Sequence, residues 1–139
     1  MNKLVMDNSV LIKLFVEEKG REEVKEIIDL VSEGEMELFC PEFLLVELIN
    51  VLKSVKKLTG EKIKEILSEL LTKGITIEPF DYNSWPDLLD LMEKYDLTAY
   101  DALYLWLAKE ERCKLLTADK QLLKIKKYCV SLEDFDLVN

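Results

Sequence analysis

Short apolar runs alternate along the chain with longer segments in which apolar residues recur every three or four positions. The short runs are typical of buried strands, and the recurring pattern is typical of amphipathic helices. The apolar runs predict strands at 4–6, 37–40, 75–77 and 114–117, and a last edge strand that starts at Val130. The recurring pattern predicts helices over 10–15, 24–31, 43–52, 63–71, 85–95 and 98–108, and a final helix that begins at Asp119. Strands that alternate with helices in this way predict a parallel sheet wrapped by helices.

Capping and turn residues mark several of these boundaries. Pro41 is well placed to open the helix that follows the second strand. Gly74 is well placed to end the helix before the third strand. Thr98 is a typical helix N-cap, which places Asp101 in the first turn, where the helix dipole favours a carboxylate.

The composition favours one globular domain, which we expect to span 1–139. The chain has 139 residues, of which 49% are apolar and 34% are charged. It has no histidine, which excludes Ser-His-Asp and Cys-His nucleophiles and histidine-ligated zinc. The three cysteines are expected to be buried free thiols, because their number is odd and none forms a C-x-x-C pair. No apolar stretch approaches the ~20 residues of a membrane span, so we expect a soluble, cytoplasmic protein with no membrane partner.

Charge is distributed unevenly along a chain of formal net charge −9. The segments 53–64 and 114–127 each contain five lysines and one acidic residue. They are either solvated helix faces or two basic patches that hold a phosphate backbone beside an acidic site. The lysines that we predict as RNA backbone contacts on the second interpretation are Lys53, Lys56, Lys57, Lys120 and Lys124.

Four carboxylates occupy positions where an acidic side chain is unexpected. Asp7 and Asp119 each follow a predicted strand, at the sheet edge where open α/β folds bind ligands. Glu47 and Asp101 each interrupt the apolar face of a predicted helix. A buried carboxylate is costly unless a cation offsets its desolvation, and oxygen ligands suit a hard divalent cation such as Mg²⁺.

Each of these acids has an ordinary explanation when taken alone. Asp7 could be a helix N-cap, Glu47 could pair with a lysine, and Asp101 could serve the helix dipole. Asp119 could be a turn residue. Together the four explanations are improbable, because four converging carboxylates repel one another without a metal ion.

Four segments of the chain resemble the PIN-domain nucleases, and especially the VapC-type toxins of toxin–antitoxin pairs. These segments are VMDNS at 5–9, PEFLLVE at 41–47, AYDALY at 99–104 and LLTAD at 115–119. They occur in the order found in that family and are spread over nearly the whole length of the chain. Trp106 is a minor departure, since such proteins often have a small residue there.

The resemblance implies a doubly wound, three-layer α/β/α fold with a mostly parallel central sheet. It implies a catalytic and metal-binding quartet, with Mg²⁺ or Mn²⁺ as the cofactor, which consists of Asp7, Glu47, Asp101 and Asp119. It also implies endonucleolytic cleavage of RNA, with Ser9 and Thr117 supporting the quartet or orienting the substrate. The partners it implies are a cognate antitoxin protein, a segment of which occupies the acidic groove, and a second copy of the chain in a homodimer.

Within this hypothesis a metal-bound water attacks the RNA phosphodiester. Asp7 and Asp101 are the most direct metal ligands, and Asp119 completes the site or shares a second metal position. Glu47 holds or deprotonates the attacking water.

Two other classes remain open at this point. A phosphoacceptor receiver domain or an aspartyl phosphatase would also use Mg²⁺, but both have a second acid next to, or two residues beyond, the first-strand aspartate. Here those positions are Met6, Asn8 and Ser9. The second class is a non-catalytic PIN-like module that binds RNA or assembles with partners.

Overall fold

The computed structural model describes residues 2–137. Its centre is a five-stranded sheet in which every pairing is parallel, with the strand order β3-β2-β1-β4-β5. The strands are β1 (Asn2–Met6), β2 (Met36–Pro41), β3 (Thr76–Glu78), β4 (Lys114–Leu116) and β5 (Cys129–Val130). The predicted parallel sheet and its edge strand at Val130 are therefore confirmed.

Helices connect the strands and cover the sheet. The α-helices are α1 (Asn8–Leu11), α2 (Arg21–Ser32), α3 (Phe43–Asn50), α4 (Gly60–Leu70), α5 (Trp85–Tyr95) and α6 (Ala99–Glu110). A π-helical turn, Val51–Val55, extends α3, and short 3₁₀ turns lie at Ile12–Leu14, Tyr82–Ser84 and Leu122–Lys124. The fold is a three-layer, doubly wound α/β/α architecture, as the family resemblance implies.

The strand order places a switch point at the middle of the sheet. From β1 the chain winds outward through β2 to β3, and it then crosses back to β4 on the other side of β1. The connections that leave β1 and β4 therefore diverge from neighbouring strands. In doubly wound sheets the crevice at such a point is where ligands bind, outside the carboxyl ends of the strands.

The core explains why the central strands are apolar throughout rather than alternating. Leu4, Val5 and Met6 of β1 are fully buried, since helices cover both faces of a parallel sheet. The helix α6 is also buried on most of its surface, from Ala102 to Ala108, with Leu103 less buried. Trp106 is accommodated there and packs edge-on against Phe80, with ring centroids 5.0 Å apart.

Three predicted boundaries are wrong. Pro41 does not open a helix; it is the last residue of β2, because the Glu42 amide still donates to the Glu78 carbonyl at 3.1 Å and keeps the strand in register. The predicted helix over 10–15 is only one α-helical turn followed by a 3₁₀ turn. The predicted helix from Asp119 is a single 3₁₀ turn, because Ile125 leaves the helical conformation and a short turn at 126–128 then leads into β5.

Candidate metal-dependent active site

Asp7 lies at the carboxyl end of β1 and is buried, with 6% of its surface exposed. It is the N-cap of α1, and its carboxylate accepts hydrogen bonds from the Ser9 amide at 3.0 Å and the Ser9 hydroxyl at 2.5 Å. The Thr117 hydroxyl donates to its other oxygen at 2.5 Å. Burial raises the pKa of Asp7 to about 6, although these hydrogen bonds act in the opposite direction.

Ser9 and Thr117 join the two central strand ends. The Ser9 hydroxyl accepts a hydrogen bond from the Ala118 amide at 2.9 Å, and the Thr117 hydroxyl accepts one from the Asp119 amide at 3.0 Å. The two hydroxyl oxygens are 3.4 Å apart. The connection after β4 is thereby fixed against the start of α1, with Asp7 between them.

Asp119 lies on the turn that follows β4. Its Oδ1 accepts hydrogen bonds from the Gln121 amide at 2.8 Å and the Leu122 amide at 3.0 Å. Asp119 is therefore a turn residue, as its ordinary explanation expects, and the 3₁₀ turn begins three residues later, at Leu122. Its second carboxylate oxygen has no hydrogen-bond partner within residues 2–137.

Asp101 lies in the first turn of α6, one turn before Tyr104. The N-cap Thr98 accepts a hydrogen bond from the Asp101 amide at 3.2 Å, as the sequence predicts. Burial raises the pKa of Asp101, and the negative charge of Asp119 raises it further. The start of α6 and the turn after β4 thus face each other closely enough for their carboxylates to interact.

Glu47 is held by a side chain from α6. The Tyr104 hydroxyl donates a short hydrogen bond to Glu47 Oε1 and links α3 to α6. Burial raises the pKa of Glu47, the Tyr104 hydroxyl opposes that effect, and the charge of Asp101 adds to it. The carboxylates of Glu47 and Asp101 therefore lie close enough to affect each other's protonation.

The four carboxylates form an acidic rim, by which we mean Asp7, Glu47, Asp101 and Asp119. Among residues 2–137, none of the four lies in a salt bridge with a lysine or arginine. The ordinary explanation of Glu47 as the partner of a lysine is therefore wrong. These like charges are partly removed from water and have no cationic partner. Keeping them ionised therefore costs folding free energy.

The donor set of the acidic rim fits a hard divalent cation, since it offers only carboxylate and hydroxyl oxygens. In the described part of the chain, no three acidic, cysteine or histidine side chains are gathered closely enough to hold a metal ion together. Mutual repulsion keeps like-charged carboxylates apart, and a bound dication would offset it. The chemistry of the rim therefore suits Mg²⁺ or Mn²⁺, whereas its geometry is not that of a closed metal cage.

A family model of the PIN domain matches residues 4–128. This chain belongs to the PIN domain family. The resemblance carried by the four sequence segments is thereby confirmed. Members of this family are generally metal-dependent nucleases. A search of curated proteins finds no match.

Two solved structures show the same fold. A crystal structure of a protein from Pyrobaculum aerophilum has a TM-score of 0.67 and 18% identity, covering 95% of this chain and 90% of that one. A toxin–antitoxin complex from Klebsiella pneumoniae has a TM-score of 0.64 and 22% identity, covering 95% of this chain and 99% of the matched one. At these identities the likeness establishes the architecture of the PIN domain.

The lysines that we predict as RNA contacts lie in two places on the PIN domain. Lys120 and Lys124 are exposed on the turn that follows Asp119, next to the acidic rim. The other three, Lys53, Lys56 and Lys57, are exposed at the end of the helical stretch that carries Glu47. At 1.5 Å per residue, Lys53 is ~9 Å further along that stretch than Glu47. Only the first group immediately adjoins the rim.

The basic segment 114–127 does not lie wholly beside the acidic rim, which corrects the two-patch interpretation. Lys114 is the first residue of β4, at the amino edge of the sheet, whereas Asp119 follows its carboxyl end. Lys126 and Lys127 precede β5 and lie at that same amino edge. The segment is therefore divided between opposite edges, because β4 passes through its first part.

Sequence reasoning missed two polar side chains of this region of the PIN domain. Tyr104 holds Glu47, and the available signal was its position one turn after Asp101 on the same helix. Asn8 stands between Asp7 and Ser9, and its side-chain amide is buried without a hydrogen-bond partner among residues 2–137.

Within the same residues, no helix combines the length and apolar character that crossing a bilayer requires.

Proposed function

We propose that this PIN domain is a Mg²⁺- or Mn²⁺-dependent endoribonuclease and acts in the cytoplasm as the toxin of a toxin–antitoxin pair. The observation that carries the proposal is the acidic rim at the switch point of the sheet. Its carboxylates are partly buried, have raised pKa values in three of the four cases, and lack any cationic partner among the described residues. Clusters of titratable groups with perturbed pKa values in a cleft are typical of catalytic sites.

The roles of the rim residues follow from their positions. Asp7, Asp101 and Asp119 would hold the metal, because they surround the switch point at the start of α1, the start of α6 and the end of β4. Such a metal, when bound, supplies a water of lowered pKa and positive charge beside the phosphoryl oxygens. Glu47 would accept the proton of the attacking water, and its raised pKa makes its carboxylate a stronger base for that role.

Hydrogen bonds from three hydroxyl groups position two of these carboxylates. The hydroxyls of Ser9 and Thr117 occupy both oxygens of Asp7 and fix its orientation. The Tyr104 hydroxyl fixes one oxygen of Glu47 and leaves the other to hold water. Positioning partners of this kind commonly change metal affinity or activity by about 10- to 100-fold.

RNA is the substrate class that we propose, and its backbone would contact lysines beside the rim. Lys120 and Lys124 are the best placed, since both are exposed on the turn after Asp119. Lys53, Lys56 and Lys57 would contact phosphates further along the strand. These contacts compensate for the net charge of −9, which by itself disfavours a polyanion.

The toxin assignment draws on the structural likeness to a toxin–antitoxin complex. The proposed partners are a cognate antitoxin protein and a second copy of this chain. Exposed apolar side chains could supply contact area for them. Val46 and Ile49 lie on the outer face of α3, and Trp85 lies at the start of α5, with 62% of its surface exposed.

A non-catalytic PIN-like module that binds RNA or assembles with partners is the alternative. The observation that favours it is that no three of the carboxylates converge within the described residues. The two hypotheses differ in whether the protein cleaves RNA at the acidic rim.

The deciding experiment is cleavage of mixed cellular RNA and synthetic RNA by the purified protein, free of any antitoxin. Reactions would contain Mg²⁺, Mn²⁺ or EDTA. The variant Asp101→Asn removes one rim charge, and Asp90→Asn is its matched control, because Asp90 is exposed on α5 away from the rim. We expect cleavage that requires metal, persists in Asp90→Asn and disappears in Asp101→Asn.

Other results would contradict this proposal in different ways. Cleavage that persists in EDTA or in Asp101→Asn would show that the rim is not the active site. Metal binding by calorimetry without cleavage of any tested RNA would favour the non-catalytic module.

A further inference from the structure

A second charged cavity lies at the edge of the sheet opposite the acidic rim. It has a volume of about 420 Å³ and is formed by the end of α6, the start of β4 and the residue before β5. We call it the basic pocket and define it by Lys109, Arg112, Lys114, Lys127 and Tyr128, all of which line it. Neither the proposed cleavage reaction nor its metal uses any of these residues.

The charge of the basic pocket is opposite to that of the protein. Four cationic side chains line it and no acidic side chain does, in a chain of formal net charge −9. Within residues 2–137, none of the four cations lies in a salt bridge with a carboxylate. Because four like charges line one cavity, an anion bound there would be attracted by all of them.

The helix dipole does not explain this arrangement. Lys109 and Arg112 lie near the carboxyl end of α6, where cations are favourable. Lys114 begins β4, and Lys127 belongs to the segment before β5. Three separate segments therefore contribute charge to one cavity.

Two of the lysines are held in place by contacts with Tyr128. The ammonium groups of Lys109 and Lys127 each lie 5.3 Å from the centroid of its ring. A hydrogen bond with Lys127 lowers the pKa of Tyr128, burial opposes that effect, and the nearby charges of Lys109 and Lys127 add to it. The ring thus organises two cations at the cavity.

Backbone carbonyls hold the third lysine. Lys114 Nζ donates to the carbonyl oxygens of Lys126 at 3.2 Å and Lys127 at 2.7 Å. An ammonium has three donors, which leaves one free. Arg112 has no hydrogen-bond partner for its guanidinium within residues 2–137, so its planar fork is available to bind an oxyanion in a bidentate manner.

We propose that the basic pocket binds a phosphate group, supplied by an RNA strand or by a free nucleotide. A guanidinium fork beside ammonium groups is the donor set that proteins use for phosphate. The pocket is separate from the acidic rim, because α6 carries Asp101 at its start and reaches Lys109 eight residues later, ~12 Å along its axis. Phosphate binding there does not depend on whether the rim cleaves RNA.

The test compares binding of two probes in EDTA, so that the acidic rim cannot contribute through a metal. The probes are a fluorescein-labelled single-stranded RNA of 20 nucleotides, followed by anisotropy, and AMP, followed by calorimetry. The double variant Arg112→Gln/Lys127→Gln removes two charges from the basic pocket. Its matched control, Lys25→Gln/Lys64→Gln, removes two exposed charges from α2 and α4.

We expect the pocket variant to weaken binding of at least one probe about tenfold or more, because charge-assisted contacts to phosphate are lost. For RNA the dependence of log K on log salt should become shallower by about 1.4, from two contacts at ~0.7 each. The control variant should stay close to the parent protein. Loss of RNA binding alone would identify the backbone as the source of phosphate, and loss of AMP binding would identify a free nucleotide.

The proposal is overturned if the parent protein binds neither probe, or if the pocket variant binds both as the parent does. Circular dichroism establishes that the variants are folded, and Lys109→Gln is a second, independent variant with the same expectation. Because binding is measured without metal or turnover, failure here is distinguishable from failure of the proposed cleavage activity.

Discussion

The acidic rim and the basic pocket are both clusters of like charge without counter-charges, but they differ in how much of that charge is removed from water. Asp7 is 6% exposed, and burial is the main cause of the raised pKa values of Asp7, Glu47 and Asp101. The lysines and the arginine of the basic pocket are exposed. Desolvated charges cost folding free energy, whereas exposed charges cost little.

This difference separates two kinds of site. In the acidic rim, Asp7 and Asp119 follow the two central strands, whereas Glu47 and Asp101 lie on α3 and α6. Burial of ionised Asp7, Glu47 and Asp101 opposes folding, which is typical of groups whose chemistry requires a low dielectric. The basic pocket lies on the surface and can change by single substitutions without disturbing the core. We therefore expect large effects from changes at the rim and graded effects from changes at exposed lysines and arginines.

The largest effect is expected for Glu47→Gln. Loss of the proton acceptor should reduce RNA cleavage about 100-fold or more, while the melting temperature stays the same or rises because repulsion with Asp101 is relieved. Glu93→Gln, an exposed position on α5, is the control and should keep full activity. Equal activity of Glu47→Gln and the parent protein would remove Glu47 from the site.

Tyr104→Phe separates positioning from chemistry within the rim. Without the hydroxyl, Glu47 loses its only side-chain partner in the described chain, and cleavage should fall about tenfold. Stability should fall by about 1 kcal/mol, as for one buried hydrogen bond. Tyr82→Phe is the control, since Tyr82 is 85% exposed. A Tyr104→Phe protein that loses stability but keeps its cleavage rate would limit Tyr104 to a structural role.

The cost of the rim should be visible in the pH dependence of stability without metal. The pKa of Asp7 is about 6 in the fold, against an ordinary value of 3.8, so the fold is favoured below pH 3.8 and loses that advantage as pH rises through 6. From Asp7 alone, urea unfolding in EDTA should give about 1 kcal/mol more stability at pH 5 than at pH 7.5. The raised pKa values of Glu47 and Asp101 act in the same direction.

Asp7→Asn should reduce this pH dependence, because the titrating group with the large shift is gone. Adding Mn²⁺ at pH 7.5 should raise the melting temperature of the parent protein more than that of Asp7→Asn. An unchanged pH profile in Asp7→Asn would show that burial of Asp7 is not the source of the cost.

The smallest effects are expected at the exposed lysines beside the rim. Lys120→Gln/Lys124→Gln should weaken RNA binding a few-fold and reduce the salt slope by about 1.4. The same double variant should leave the cleavage of a dinucleotide substrate unchanged, since so short a substrate does not reach both lysines. A large loss of dinucleotide cleavage would place one of these lysines in the active site.

Much of the sheet could be predicted because its signals are local. The strand end at Met6 and the caps at Asp7 and Thr98 depend on neighbouring residues and lie where the pattern places them. The strand β4 ends at Leu116, one residue before the predicted end at Thr117. The end of β2 could not be predicted in the same way. Pro41 is compatible with either a strand end or a helix start, and pairing with β3 decides between them.

The candidate site was predictable as a set of residue types but not as a set of contacts. Acids after strands predict a common edge, whereas the bond from Thr117 to Asp7 spans 110 positions and depends on how β1 and β4 align. The bond from Tyr104 to Glu47 depends similarly on the packing of α6 against α3. The basic pocket combines residues from three segments of the chain. A count of lysines along the sequence cannot find it, because that count assigns Lys114 and Asp119 to one patch although they lie at opposite edges of the sheet.

The pairing of β1 with β4 has a consequence for when the protein becomes active during synthesis. Val5 lies opposite Leu115, so the two central strands come from distant parts of the chain. Contacts of such long sequence separation form slowly and require most of the chain to be available. A nascent chain in which β4 has not yet been synthesised lacks Thr117 and Asp119. Asp7 then has no hydrogen bond from the Thr117 hydroxyl to orient its carboxylate. The topology itself delays the activity that we propose until β4 has been synthesised, before any partner is needed to restrain it.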